Sequence, residues 1–465
     1  MKRILPTALL FFWTFAVSAW GPDVLVDTAN AIANISVIEG NDGALYMSIP
    51  DPVFNNGVAL RFRHSLDHGT TWQEWPVTGS GNDFVQRTKL VAAPNEVWCI
   101  FIVDRTLHVL DVNSGSESVY SDLAVGDFDV AMSSTGWMYV FMQEFSSTNI
   151  YRTATADAGA TWEPTASVSA AGLAPRISLS EGDTLLVDFI LVPTGGFFLG
   201  SRQGIYEVIG PGILAVTATG FLDLQWSFVS GQNLGSVQQG GIVWKFRGGG
   251  TATRDIQMKV SSDGGVTYGP TTTVSGAVDA DEFGFAALPR TGIDQGVDLV
   301  YVHYPTDTTT SATVVHVFAA HDAPAQFSAP TTISELPPLA FSASMPPQLM
   351  VFADASLGVA WVGTDSGEVN VYFDHQLDDV SVPTTAAIDG TRIYPNPTAG
   401  SLTLELSNTQ TIEHVLIRDP MSRLIRKIER VSSVEVVDLS DLPQGICLLE
   451  VVRTTGSTLF RVVVE

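Results

Sequence analysis

The chain has 465 residues, with 23 Lys and Arg against 49 Asp and Glu and a formal net charge of −26. That length exceeds one ordinary domain unless the domain is a repeat or a barrel, and it predicts one large unit and one small one. The charge is uneven: residues 20–390 carry 13 basic and 40 acidic side chains, whereas residues 391–465 carry 8 and 9. A large unit with that excess and no basic stripe repels phosphate backbones, which argues against nucleic acid and anionic membrane surfaces as partners.

In chain order, Lys2 and Arg3 precede an apolar run from Ile4 to Val17, and Val17-Ser18-Ala19 offers small residues where a signal peptidase reads. Residues 1–19 are therefore expected to be a signal peptide cleaved after Ala19. A membrane anchor is the rival reading, but the run is short, contains Pro6 and Thr7, and ends in a cleavage-like triplet. No later stretch is apolar for long enough to span a bilayer, so no transmembrane segment is expected in the mature chain. Cys99 and Cys447 fall in different expected domains, so a disulfide framework is not what stabilises this exported chain.

From residue 20 onward, helical periodicity is nearly absent. Short β-branched and aromatic runs recur between Gly, Pro, Asn, Asp and Ser, as at Glu96 to Val103, Gly136 to Gln143, Gly241 to Phe246, Val297 to Tyr304 and Gly358 to Val362. This is the pattern of an all-β fold. One string also repeats: Ser65-Leu66-Asp67-His68-Gly69-Thr70-Thr71-Trp72, Thr155-Ala156-Asp157-Ala158-Gly159-Ala160-Thr161-Trp162 and Ser261-Ser262-Asp263-Gly264-Gly265-Val266-Thr267-Tyr268. The carboxylate can accept hydrogen bonds from the turn's own amides, Gly supplies a backbone shape other residues avoid, and the aromatic packs over the turn.

These strings resemble Asp-boxes, or BNR repeats, of β-propellers such as sialidases. The resemblance implies structural roles for Asp67, Gly69, Thr71, Trp72, Asp157, Gly159, Thr161, Trp162, Asp263, Gly265, Thr267 and Tyr268. Strand-like openings near Ile35, Phe84, Phe128, Arg176, Leu222, Phe283 and Phe341 predict seven blades over residues 20–376, with six or eight left open. His321 to Phe327 reads as a decayed box in the sixth unit. Asp23 to Asp27 is expected to pair with Val369 to Phe373 and close the ring, because an open propeller would expose sheet edges.

Residues 377–390 read as a linker. Residues 391–465 then carry Tyr394-Pro395-Asn396-Pro397 with Gly400, followed by Asp438-Leu439-Ser440-Asp441-Leu442-Pro443-Gln444-Gly445 and a terminal strand from Leu459 to Val464. In that order the segment resembles the type A sorting domain of the type IX (Por) secretion system, which implies a small β-sandwich and the type IX machinery as partner. Met421-Ser422-Arg423 stands where the family usually has Gly-Arg or Gly-Lys, Cys447 where Tyr is common, and Glu465 where a basic end is usual.

A sialidase also needs arginines that clamp a carboxylate, the first on blade one. The corresponding stretch here reads Asn34-Ile35-Ser36, which argues against sialidase activity. Arg61, Arg63, Arg176, Arg202, Arg254 and Arg290 could be recruited instead, although Arg61 and Arg63 alternate with Leu60 and Phe62 as solvent-facing strand positions do.

There is no Gly-x-Ser-x-Gly, His-Glu-x-x-His, Walker A or zinc-spaced Cys/His pattern. His303 and His316 read as sheet positions, and Asp111-Val112-Asn113-Ser114-Gly115 as a hairpin turn and not a calcium loop. No metal or cofactor is expected. The leading expectation is an exported propeller, non-enzymatic or of unassigned activity, that presents a face for binding a glycan, polymer or protein. The alternative is a glycoside-acting hydrolase or lyase whose carboxylates come from separate blades.

Overall fold

The computed structural model describes residues 20–376 and 392–464, apart from 30–33, 51–59, 77–84, 181, 193–199, 219–221, 224–233, 249–254, 275–279, 291–294, 306–310, 340–345, 353–354, 366, 395–397, 399, 406–411, 419–423, 429–433, 441, 443–444 and 454–455. The expected signal peptide and linker lie outside the described residues. Two compact units divide after Gln376.

The first unit is a seven-bladed propeller built of antiparallel sheets. Its innermost strands, one per blade, are Ser36–Glu39, Val85–Ala92, Val125–Met132, Gly172–Ser180, Leu234–Gln239, Ala280–Arg290 and Gln348–Val351. Each neighbours the next around the ring, and the seventh returns to the first. The second strand of a blade lies between two neighbouring blades, so it reads as an unbroken apolar run. Val97–Val103 is buried at every position. Several outermost strands are short and polar, as at Gln73–Glu74, Thr272–Thr273 and Thr331–Thr332, which limits exposed pairing edges there.

Blade seven takes its outermost strand from the other end of the propeller. Val24–Ala29 pairs antiparallel with the strand Glu368–His375, Val24 opposite Phe373 and Ala29 opposite Val369. This is the closure expected from the sequence, carried on to Ala29. One blade opening differs from expectation. Leu222 lies in a two-residue strand that pairs with Ser201 and Arg202 of blade four, and blade five opens at Leu234. Phe341 lies outside the described residues, and blade seven opens at Gln348.

The core is distributed between blades. Val91, Trp98 and Ile100 of blade two pack with Phe128, Val140 and Met142 of blade three, and similar clusters join most other neighbours. Between blades four and five the apolar clusters are small, Ile190 with Leu234 and Leu186 with Ile205 and Val243. A buried ion pair fills the seam: Lys245 Nζ stands 2.9 Å from Asp188 Oδ1, and Gln203 Nε2 donates to Asp188 and to Ser236 Oγ at 3.2 and 2.7 Å.

The second unit has two antiparallel sheets. One orders Arg392–Tyr394, Ser401–Glu405 and Val434–Asp438; the other orders Leu424–Ile428, Ile412–Arg418, Gly445–Arg453 and Gly456–Val464. Leu404 and Val437 of the first pack with Ile417, Val451 and Val462 of the second, which makes a small sandwich with its own core.

Candidate functional site

The innermost strands enclose an axial channel of about 1100 Å³, lined from all seven blades. Most of its wall is apolar, with Val37, Leu234, Phe285 and Leu349 from blades one, five, six and seven. The exception is a charged arc on blades two to four. In a strand, residues two apart share a face, so Arg87 and Lys89 project together, as do Asp127 and Asp129 on the next blade. Arg176 adds a third cation from blade four.

The pairing is specific. Arg87 Nη1 donates to Asp127 Oδ1 at 2.5 Å, Arg176 Nη1 to Asp127 Oδ2 at 3.2 Å, and Lys89 Nζ to Asp129 Oδ1 at 2.6 Å. Asp129 Oδ2 also accepts the Ile177 amide at 2.8 Å. Burial is the largest influence on Asp127 and opposes its charge, yet Arg87 and Arg176 outweigh it and hold the carboxyl below its ordinary pKa. Burial likewise opposes ionisation of Asp129, and Lys89, Arg87 and Arg176 overcome it. Arg176 is shifted downward by burial and by repulsion from Arg87. The cations beside them thus favour the charged form of both aspartates, which in turn align the cations.

The residues singled out from the sequence lie elsewhere, with three exceptions. Asn34, Ser36 and Arg176 line the channel. Arg61 and Arg63 do not simply face solvent: Arg61 Nη1 and Arg63 Nε grip the two oxygens of buried Asp27 at 2.9 and 3.1 Å, tying the closing strand of blade seven to blade one. Strand alternation identifies their face but not the partner across it. Arg290 pairs with Asp298, whose Oδ1 also lies 2.7 Å from His316 Nε2. Arg202 lies on the third strand of blade four, and Arg254 is outside the described residues. His303 and His316 sit in adjacent strands of blade six. Asp111 to Gly115 forms the turn between Thr106–Asp111 and Glu117–Tyr120, where Asp111 accepts the Asn113 amide at 2.9 Å.

The three repeated strings connect the third and fourth strands of blades one, three and five, and they share the same central hydrogen bonds. Asp67 Oδ1 accepts the Thr71 amide at 2.8 Å and Oδ2 the Thr71 hydroxyl at 2.6 Å, as Asp157 does from Thr161 and Asp263 from Thr267. A hydroxyl two residues earlier completes each turn. Ser65, Thr155 and Ser261 donate to the aspartate and accept the amides of Gly69, Gly159 and Gly265 at 2.9, 3.0 and 2.9 Å. These hydroxyls stand in the repeated string, but their role is visible only in three dimensions.

Each box aromatic reaches the preceding blade. Trp72 meets Phe373 edge-on at 5.3 Å, Trp162 meets Tyr120 at 5.1 Å, and Tyr268 donates its hydroxyl to Gln203 Oε1 at 2.6 Å. The decayed box behaves likewise, with Phe327 lying 6.3 Å from Phe246 of blade five.

In the second unit Gly400 O accepts the Leu439 amide at 2.7 Å, and Asp438 Oδ1 accepts the Ser440 amide at 3.0 Å. Tyr394 and Gly445 lie on strands and Leu442 packs against the sandwich core, while Pro395, Asn396, Pro397 and Pro443 fall outside the described residues.

Residues 392–465 match the secretion system C-terminal sorting domain. The sandwich is thus a type IX sorting tail, and it directs export to the cell surface or the extracellular space. No curated protein matches the chain. Among solved structures, the NanB sialidase of Streptococcus pneumoniae is 12% identical with a TM-score of 0.41, covering 77% of this chain and 71% of that one. An α-L-arabinofuranosidase of Fusarium graminearum is 11% identical with a TM-score of 0.42, covering 77% and 98%. An ulvan lyase is 11% identical with a TM-score of 0.48, covering 77% and 96%. These likenesses concern the fold alone.

Proposed function

We propose that the propeller is an extracellular binding module that takes a segment of glycan or polymer into its axial channel and does not transform it. The observation that carries this reading is the state of the channel aspartates. A glycosidase sets two carboxyl groups on opposite sides of the bond it cleaves, one of them protonated. Asp127 and Asp129 share one strand, and each is paired to a cation at 2.5–2.6 Å. The Asp-box residues support the scaffold and take no part in binding.

The export route begins, on the same reading, with removal of residues 1–19, so that the mature protein starts at Trp20, and ends with recognition of residues 391–465. Two measurements test it. Intact mass of the exported protein should correspond to a start at Trp20. Deleting residues 392–465 should leave a folded propeller in the periplasm, and surface display at normal levels would contradict the assignment. For the binding role, a glycan array of the mature chain should give ligands that are retained intact, and conversion of any retained glycan would favour an enzyme.

A further inference from the structure

We propose that the channel ligand is an acidic polysaccharide whose carboxylate or sulfate seats against Arg87, Lys89 and Arg176. This rests on the binding role above and names the chemistry of what is bound. The charged arc holds three cations and two carboxylates, a local excess of one positive charge in a chain whose formal charge is −26. Glu39, on blade one, is the other charged residue of the wall.

The cations also have donors to spare. A guanidinium offers five N–H groups. Arg87 spends one on Asp127, and its Nε is buried with no acceptor. That buried nitrogen is out of a ligand's reach, so an oxyanion in the channel would meet the remaining N–H groups of the fork. Arg176 directs Nη1 to Asp127 and to the Pro175 carbonyl, which leaves the other side of its fork. The side chains of Arg87, Lys89 and Arg176 remain 20%, 35% and 25% accessible.

Asp127 and Asp129 hold the cations in place and lower the charge of the arc without cancelling it. The apolar wall opposite sharpens the preference, because an ion-to-ion hydrogen bond strengthens where little water screens it. A channel of about 1100 Å³ has room for a segment of chain and not only for a single small ion. A neutral glycan offers the fork only hydroxyl and ether oxygens, which accept more weakly than an oxyanion. A polyanion supplies acceptors, and its length lets neighbouring residues contact the apolar wall.

The test is titration of the mature full-length chain with polygalacturonate, dextran sulfate and unmodified dextran, monitored calorimetrically at two salt concentrations. One or both acidic polymers should bind, more weakly at high salt, and dextran should not; the stronger of the two tells carboxylate from sulfate. Arg176→Gln should weaken binding about tenfold. Because losing a cation could also unsettle Asp127, Asn34→Asp is the second variant. It places a negative charge on the channel wall, leaves every ion pair intact, and should weaken binding with an unchanged melting temperature. Equal binding of dextran and dextran sulfate, insensitive to Asn34→Asp, would overturn the anionic assignment while sparing the binding role. Failure of all three polymers to bind would count against both.

Discussion

Trp162 of blade three stands edge-on to Tyr120 of blade two, their ring centroids 5.1 Å apart. Asp157 and Gly159 shape the turn that presents it. Gly159 has φ +81°, and a Cβ there would lie 2.9 Å from the Trp162 ring, so the turn and the ring must be built together. The repeated string is therefore a clasp between blades as well as a turn within one. Replacing Trp162 by Ala should cost about 2–3 kcal/mol in chemical denaturation, with Phe recovering most of it. A loss no larger than that of an exposed surface residue would refute the clasp.

The box carboxylates should act through stability. They are exposed, and water screens part of their value, so Asp67→Ala and Asp157→Ala should each cost about 1 kcal/mol; Asp263→Ala should shift stability in the same direction. Burial opposes the charge of Asp67 and Asp157, but hydrogen bonds from Thr71 and Ser65, or Thr161 and Thr155, outweigh it. Bonds from Thr267 and Ser261 bring Asp263 to about 2. Folded values below the ordinary carboxylate value mean stability that is complete above about pH 4 and is lost as pH falls toward 2. Thermal melts of the wild type and the Asp variants should converge over that window. A constant gap down to pH 2 would contradict the assignment.

Asp374 predicts the opposite slope. Burial, reinforced by Asp23 and Glu335 and only partly offset by the backbone amides of His375 and Gly21, pushes its pKa up to about 8. A carboxyl raised in the folded state binds more protons there than when unfolded, so stability should decline as pH rises from about 4 to 8. Asp374→Asn should remove that decline and raise the melting temperature at pH 8 by about 2–4 °C. An unchanged pH profile would show that Asp374 finds a counter-charge.

Ring closure depends on Asp27, which two arginines share. Asp27→Asn removes the carboxylate that Arg61 and Arg63 share, although Arg63 keeps Glu74 at 3.4 Å, and should cost about 2 kcal/mol, less than for a wholly buried pair because the arginines are 22% and 17% accessible. Hydrogen exchange should quicken first in Val24–Ala29 and its partner strand. Uniform protection after the substitution would place the weak point elsewhere.

Much of the scaffold was legible because its signals are local. The Asp-boxes, the strand runs and the ordered sorting motifs each sit within a dozen residues, and the closing strand followed from the cost of an open edge. The channel cluster was not, because Arg87 and Asp127, like Lys89 and Asp129, lie 40 residues apart and meet only when innermost strands gather at the axis. The local trace was charge at alternate positions, Arg87-Thr88-Lys89 and Asp127-Phe128-Asp129, where an inner strand might have been read as a solvent-facing one. Leu222 misled for a related reason: a run as short as Leu222–Asp223 pairs as well beside an outer strand as at the axis.

Retention without conversion is the claim on which the account turns. Incubation of the mature protein with acidic polysaccharides, followed by separate assay of bound polymer and of newly formed chain ends, measures both halves at once. The account predicts a stable complex, weakened by Arg87→Gln, with no new ends over prolonged incubation. Accumulation of shortened chains that stops in Asp127→Asn or Asp129→Asn would contradict it and identify the channel as an active site.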